Sequence, residues 1–516
     1  MIQKFVFWGC FFITTIVFSQ QNIMIDNVGS PNEPSISINP NNTNQLVAGS
    51  NIDNVYRSND GGLTWTKSTL TSTYGVWGDP AITVDNNNNF YFTHLSNPGS
   101  GGSWLDRIVC QKTTDNGATW SNGSYTGLNP INGKDQDKQW IAFDKINNIF
   151  YMTWTQFDSY GSSDPINKST ILFSKSTDFG ITWSTAIKIN TVDGTCIDNS
   201  TTVEGAVPTV GPSGQVYVAW SGPNGLVFKK SLDQGVTWSA TETQIFPTHL
   251  WDYTIPGIDR CNGLPIAVCD TSTSPYNGTI YVNWSDQSNG TNDTDIFISK
   301  STNQGATWSS PIKVNNDPAG KQQFLSWMTI DQTNGYIYIV FYDRRNYLNN
   351  TTDVYLAYST NGGATFTNTK ISTASFLPTS SVFFGDYTNI VAHNGVIRPI
   401  WARLVSGQTS IWTAILTHNQ LEIKEFEAEN DVNTIYNYPN PVVEDCYFAF
   451  KLYKDSPVSI TVYDLSGKEV YKVLENIDYP MGKHLVSIKS NVLNKGEYIY
   501  VVKSNYYKKS KKLLVE

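Results

Sequence analysis

Charge is scarce in this chain, and what there is leans acidic. Of 516 residues only 15% are charged, with 44 acidic against 35 basic side chains and a net charge of -9. An acidic surface repels a phosphate backbone, so nucleic acid is not expected as a partner. Cysteine is also sparse: six residues, none in a CxxC spacing, which removes the case for a structural zinc site. Cys10 lies in the N-terminal apolar stretch, leaving Cys110, Cys196, Cys261, Cys269 and Cys446. An odd number requires a free thiol or an intermolecular bond, and Cys261 and Cys269 are close enough in sequence to pair. Long hydrophobic runs are missing beyond the first residues, so no transmembrane segment is expected. Those first residues pair Lys4 with an apolar run from Phe5 to Phe18 before Ser19-Gln-Gln21, the pattern of a secretory signal peptide over residues 1–19.

Aromatic residues are abundant. They make up 13% of the chain, including 16 Trp and 28 Tyr. That excludes disorder and, with low charge, points to an all-β extracellular protein. One segment recurs six times: Ser58-Asn-Asp-Gly-Gly-Leu-Thr-Trp65, Thr113 to Trp120, Ser176 to Trp183, Ser231 to Trp238, Ser301 to Trp308 and Ser359 to Phe366. Its chemistry is that of a turn. Asp or Asn accepts backbone N–H groups further along, Gly takes a positive φ, β-branched Thr restarts the strand, and the aromatic packs between sheets. A second pattern, a short apolar strand, starts near Pro34, Pro80, Trp140, Val207, Pro265, Trp327 and Tyr387. Repeats of this length built from four short strands predict a β-propeller. Seven such starts predict seven blades, with six as the alternative. The last repeat lacks the turn segment, and Asn22 to Asp26 could supply its fourth strand and close the ring.

The turn segment is the Asp-box, or BNR repeat, and it resembles the hairpins of the sialidase-like propeller superfamily. In that family the boxes lie on the face away from the active site, so they are read here as structural. The propeller is placed at residues 22–420. Residues 421–435 are an acidic linker. Over residues 436–516, Tyr438-Pro-Asn-Pro441, the alternating Val458 to Val470 with its Ser-Gly turn, Leu493 to Tyr498 and Lys511 to Val515 follow in the order of a type IX secretion C-terminal sorting domain, to which this region is similar. The resemblance implies a small β-sandwich, the type IX secretion machinery as a partner, and a secreted or cell-surface protein.

The starts of the inner strands carry the chemistry. Glu33, Asp79, Asp137, Glu204, Arg260, Asp386 and Tyr387 fall there, with Trp77, Trp140 and Trp327 beside them. Acids, Arg and aromatics gathered in one funnel suit an extracellular glycan or polysaccharide, since rings stack on aromatics and hydroxyls bond acids and Arg. The sialidase resemblance implies a Tyr nucleophile, an activating Glu, an Asp acid/base and three Arg. Tyr387, Glu204 and Asp386 are the candidates for the first three, and Arg260, Arg344 and Arg345 for substrate contact. The family's early Arg-Ile-Pro motif is absent, and Asn32-Glu-Pro34 stands near its place. Three readings therefore stand: a glycan-directed enzyme, whether sialidase or another hydrolase; a polysaccharide lyase, for which His94, His249 and His393 are bases by type; and a non-catalytic glycan- or protein-binding module. No cofactor is called for, although the Asp-rich loop from Asp286 to Asp295 has oxygen ligands of the kind Ca²⁺ uses.

Overall fold

A computed structural model describes residues 21–99, 104–129, 134–421, 435–443, 445–452 and 454–516. The signal-peptide segment and residues 422–434 of the linker lie outside this set. Two compact units divide the chain, Met1–Leu416 and Thr417–Glu516.

Among the described residues the first unit holds seven four-stranded antiparallel sheets, numbered here in chain order, and one two-stranded pair. Their innermost strands are Ser35–Ile38, Ala81–Val84, Asp135–Asp144, Glu204–Val210, Ile266–Cys269, Gln323–Asp331 and Asn389–His393. Each of these strands packs on the next, and the seventh packs on the first, so the sheets form a closed ring. This is a β-propeller. The ring is joined by the N-terminal strand Gln21–Asp26, which pairs with Gln408–Thr417 as the outermost strand of sheet seven. That pairing hides an edge that would otherwise be open to another chain.

The six repeated turns explain how neighbouring sheets hold together. In sheet five the buried Ser301 hydroxyl donates to Asn303 Oδ1 at 2.8 Å and accepts the Gly305 N–H at 2.8 Å, while Asn303 Oδ1 accepts the Thr307 N–H at 3.0 Å. The same bonds recur at Ser58-Asp60, Ser231-Asp233 and Ser359-Asn361. Gly305 adopts φ +75°, and a Cβ there would sit 2.0 Å from the Phe228 ring of sheet four. Trp308 closes on that same ring, edge to face, with centroids 5.2 Å apart. In sheets three to six the glycine of the segment sits against a ring of the preceding sheet: Gly180 on Tyr91, Gly235 on Phe173, Gly305 on Phe228 and Gly363 on Tyr281. Ser301→Ala should orphan a buried N–H and cost about 1–3 kcal/mol in urea unfolding; an unchanged midpoint would show that the turn forms without this bond.

One expectation is corrected. Cys261 and Cys269 are both free, as are Cys110, Cys196 and Cys446. Cys261 lies in the short strand Cys261–Asn262, paired with Asp252–Tyr253, whereas Cys269 is at the far end of the inner strand Ile266–Cys269. The intervening strand carries the two thiols apart.

The second unit is a sandwich of a three-stranded sheet (Ile435–Tyr438, Asp445–Leu452, Gly482–Lys489) and a four-stranded one (Ser456–Asp464, Glu469–Tyr479, Gly496–Lys503, Lys508–Val515). Alternation along the strands turns Phe448, Phe450, Val458, Ile460, Val462, Tyr500 and Val502 into a shared core.

Candidate functional site

The inner strands reach the funnel through irregular backbone. Register shifts at Asp137/Trp140, Glu204/Val207 and Phe324/Trp327 mark bulges at the starts of sheets three, four and six. A residue with positive φ stands at the matching place in five sheets: Glu33 (52°), Asp79 (50°), Lys138 (52°), Gly205 (70°) and Leu325 (49°). Four of these are not glycine, and each such conformation costs roughly 1–3 kcal/mol. Bulges bend a strand and re-aim its side chains. In sheets three and four the bulged segments carry residues of the pocket described below, Asp137, Lys138 and Glu204. At Gly205 a Cβ would meet Leu264 at 2.6 Å and Trp251 at 2.8 Å, so only glycine fits.

What converges is a network of acids around two cations. Asp386 is the hub. It accepts Lys138 Nζ at 2.8 Å and Arg260 Nε at 2.9 Å, which ties sheets three, five and seven together. Lys138 Nζ is also 3.7 Å from Asp79. Glu33 accepts the Asp386 N–H at 3.1 Å and a bond from the Asn51 amide, and Asn51 Oδ1 accepts the Asp79 N–H at 2.8 Å. Although burial opposes ionisation, Lys138 and Arg260 hold the Asp386 carboxyl well below the usual carboxylate range. The surrounding acids, Asp386 foremost, conversely raise Lys138 above an ordinary lysine despite its burial.

A small pocket opens beside this hub, lined by Asp137, Lys138, Tyr160, Asp198, Glu204, Trp251, Asp252, Arg260, Cys261, Asn262 and Asp386. Asp198 accepts Tyr160 Oη at 2.6 Å and Trp251 Nε1 at 3.0 Å. Burial pushes Asp137 up to about 7; Lys138 opposes this, while the charge and hydrogen bond of Asp79 add to it. Burial, then the negative charges of Asp198 and Asp137, lift Glu204 well above the usual range. Glu204 Oε2 is buried, with no donor reaching it among the described residues.

Aromatic rings stop the channel. Trp140 of sheet three, Trp327 of sheet six and Tyr387 of sheet seven meet with centroids 4.6 Å (Trp140–Trp327), 5.1 Å (Trp140–Tyr387) and 6.0 Å (Trp327–Tyr387) apart. All three are buried. The Tyr387 hydroxyl lies 3.4 Å from Asp79 Oδ1, and burial raises its pKa well above that of a free phenol.

The sequence-predicted residues therefore part into groups. Glu204, Asp386 and Arg260 line the pocket, and Asp79 stands behind it. Tyr387, Trp140 and Trp327 form the plug. The Tyr387 hydroxyl meets Asp79, while Glu204 meets Asp198, so these two do not form a pair. Trp77 is half-exposed and meets the exposed Trp104 edge to face at 6.1 Å. Arg344 is buried on Thr352 and the Pro256 carbonyl, and Arg345 is held by Asp343 at 2.6 Å and lies over Tyr355. Neither lines the pocket. Arg403 is over Trp412. Of the histidines, His94 is buried on Gln111 and the Leu95 carbonyl, with burial pulling it down to about 4; none lines the pocket. The carboxylates of the loop from Asp286 to Asp295 are taken by protein donors: Asp286 by Ser288, Asp293 by the Gly320 N–H, and Asp295 by Asn289 and Asn315. Among the described residues no group of three or more His, Cys, Asp or Glu is arranged to hold a metal ion.

Sequence reasoning gave no role to Lys138, Asp198, Trp251 or Asp252. Their common signal is position. Lys138 sits inside the Asp137-Lys-Gln-Trp140 punctuation, and the other three lie in segments leading to the starts of inner strands four and five.

Residues 436–516 match the family described as secretion system C-terminal sorting domain. The C-terminal unit is a type IX sorting signal, and the protein is directed to the outer cell surface or beyond it. No helix among the described residues is long and apolar enough to cross a membrane. Curated proteins hold no match to the chain. Among solved structures it is similar to a Hadza microbial sialidase, with 13% identity, covering 72% of this chain and 73% of that one, TM-score 0.43. It is similar also to the GH93 α-L-arabinofuranosidase of Fusarium graminearum in complex with arabinobiose, with 12% identity, 78% and 98% coverage, TM-score 0.44. A third is a polysaccharide lyase, an ulvan lyase, with 12% identity, 78% and 96% coverage, TM-score 0.46.

Proposed function

We propose that the propeller is an exported glycan-cleaving protein that works through carboxyl groups in the funnel pocket. The observation that carries this reading is the convergence of Asp137, Asp198 and Glu204 on one pocket, with burial pushing Asp137 up to about 7. Glycoside cleavage needs one carboxyl to give a proton and another to take one. Asp137 gives its proton to the bridging oxygen as the bond to the sugar carbon breaks. Asp198 takes a proton from the water whose oxygen bonds to that carbon. One proton leaves and one enters, and a reducing sugar and a free hydroxyl result. Tyr160 and Trp251 offer ring faces and edges to the sugar at the pocket wall.

Arg260 is the single arginine in the pocket lining, and it is bound to Asp386. A three-arginine clamp on a sugar carboxylate therefore has little support, and a hydrolase other than a sialidase is favoured. The direct test is a screen of the purified protein on sialosides and on neutral and acidic polysaccharides, beside Asp137→Asn. Turnover that disappears in the variant supports the reading. Binding without turnover on every glycan would make the funnel a recognition site.

The Trp77–Trp104 pair fits the same reading, as a platform for sugar units beyond the pocket. Trp77→Ala should weaken binding of an oligosaccharide substrate about 3- to 10-fold, from the roughly 0.5–1.5 kcal/mol of one aromatic contact. Cleavage of a short aryl glycoside should be unaffected. Equal losses on both would place Trp77 in pocket folding instead.

A further inference from the structure

We propose that the funnel pocket recognises an amino sugar, with the protonated amine seated on Glu204 Oε2 between Asp198 and Asp252. This rests on the glycan reading above and names its substrate class. Five carboxyl groups line the pocket: Asp137, Asp198, Glu204, Asp252 and Asp386. The two cations in the lining, Lys138 and Arg260, both bond to Asp386, leaving four acids facing the cavity with cationic help only at longer range. An acidic sugar entering this pocket would meet like charge and no uncommitted guanidinium or ammonium. A ligand rich in donors meets the opposite.

The second observation is Glu204 itself. It is 1% exposed, it lines the cavity, and Oε2 has no donor among the described residues. Its polar neighbour is another carboxyl, Asp198. Asp198 is already supplied by Tyr160 Oη and Trp251 Nε1, so these donors are not available to Glu204. A buried acceptor without a donor costs free energy that a ligand's N–H can recover, and a charged donor recovers most. Sugar hydroxyls could fill the position, but they would not offset the repulsion that keeps these crowded carboxyls, Glu204, Asp198, Asp252 and Asp137, from ionising together. An ammonium answers both.

The groups facing Glu204 are Asp198, Asp137 and Lys138, and those facing Asp137 are Lys138, Asp79 and Asp198. Crowded acids hold protons that an arriving cation displaces. Amine binding should therefore release protons and strengthen as pH rises from 5.5 to 7.

Calorimetry on the whole mature protein tests this with three probes: the trimer of glucosamine, the trimer of N-acetylglucosamine, and the trimer of galacturonic acid. At pH 6.5 and 0.15 M salt the glucosamine trimer should bind at least tenfold more tightly than the acetylated one, and the galacturonate trimer should not bind. Glu204→Gln should bring the first ratio close to one. Asp252→Asn, at an exposed position that leaves the fold intact, should reduce it as well. Measurement in buffers of different ionisation enthalpy should show proton release with the amine and none with the acetylated trimer. Equal or tighter binding of the acetylated trimer, a ratio unaltered by both substitutions, or no binding of any of the three overturns the proposal. The wider reading falls separately, when no glycan in the screen is cleaved or bound.

Discussion

Asp386→Asn should be the most destabilising single change in the funnel, lowering unfolding free energy by about 3–5 kcal/mol in urea titration. The loss comes chiefly from Lys138. Its side chain is 6% exposed, and its ammonium sits 2.8 Å from an Asp386 carboxylate that is 2% exposed. Removing the negative charge leaves a buried cation with only Asp79, 3.7 Å away, as an ion-pair partner. Arg260 is 44% exposed on its side chain and can turn to solvent, so its share is small. Lys138→Met should cost less, because Asp386 keeps Arg260. The double variant should be more stable than the sum of the two losses predicts, since the stranded cation is then gone. Additive losses would mean that Lys138 draws its support from Asp79 rather than from Asp386. Because three sheets far apart in sequence meet at this carboxylate, the loss should appear as a cooperative shift of the whole propeller transition.

Asp137→Asn should lower turnover by about 10²–10⁴, the usual range for a positioned acid. The parent should show a rate that falls as pH rises through about 7, where Asp137 loses its proton. In the variant that limb should vanish with the activity, because an amide has no proton to give. Stability should move the other way. The folded pKa of Asp137 is raised above an unfolded value of about 3.9. Between those values the unfolded chain gives up the proton first, so the native state loses stability as pH climbs from about 4 to 7. Asn carries no such loss, and Asp137→Asn should be more stable than the parent at pH 8 and closer to it at pH 4. Higher stability with lost activity is the signature of a group kept strained for function. A variant less stable at both pH values, with an unshifted rate profile in the parent, would assign Asp137 a packing role.

Much of the fold was legible because its causes are local. An eight-residue segment such as Ser301 to Trp308 contains its own turn bonds and the aromatic that clasps the sheet before it, so six copies announce the architecture before any long-range contact is known. Seven apolar strand starts likewise announced seven sheets, and the unpaired N-terminal strand was readable as the missing outer strand of the last. The sorting domain was legible for a similar reason, since its strands and turns follow one another in sequence. The starts of the inner strands were also visible as the places where acids gather.

What the sequence could not decide is which of those acids meet. Glu204 and Tyr387 look equally apt as partners along the chain, yet the ring puts one on Asp198 and the other on Asp79. Arg344 and Arg345 are as close to a predicted strand end as Arg260 is, but they turn into sheet six while Arg260 crosses to Asp386. Lys138 gives no hint of its burial among acids until the bulge beside Trp140 is seen. The physical reason is range. Turn bonds act over four residues, and their pattern is written in consecutive letters. The pocket's charges act across a ring whose members are up to 353 residues apart, as at the Glu33–Asp386 bond, and closure of that ring sets their distances and burial. Sequence determined the propeller, its export and the list of candidate groups; the closed ring decided which of them form the hub, the pocket and the plug.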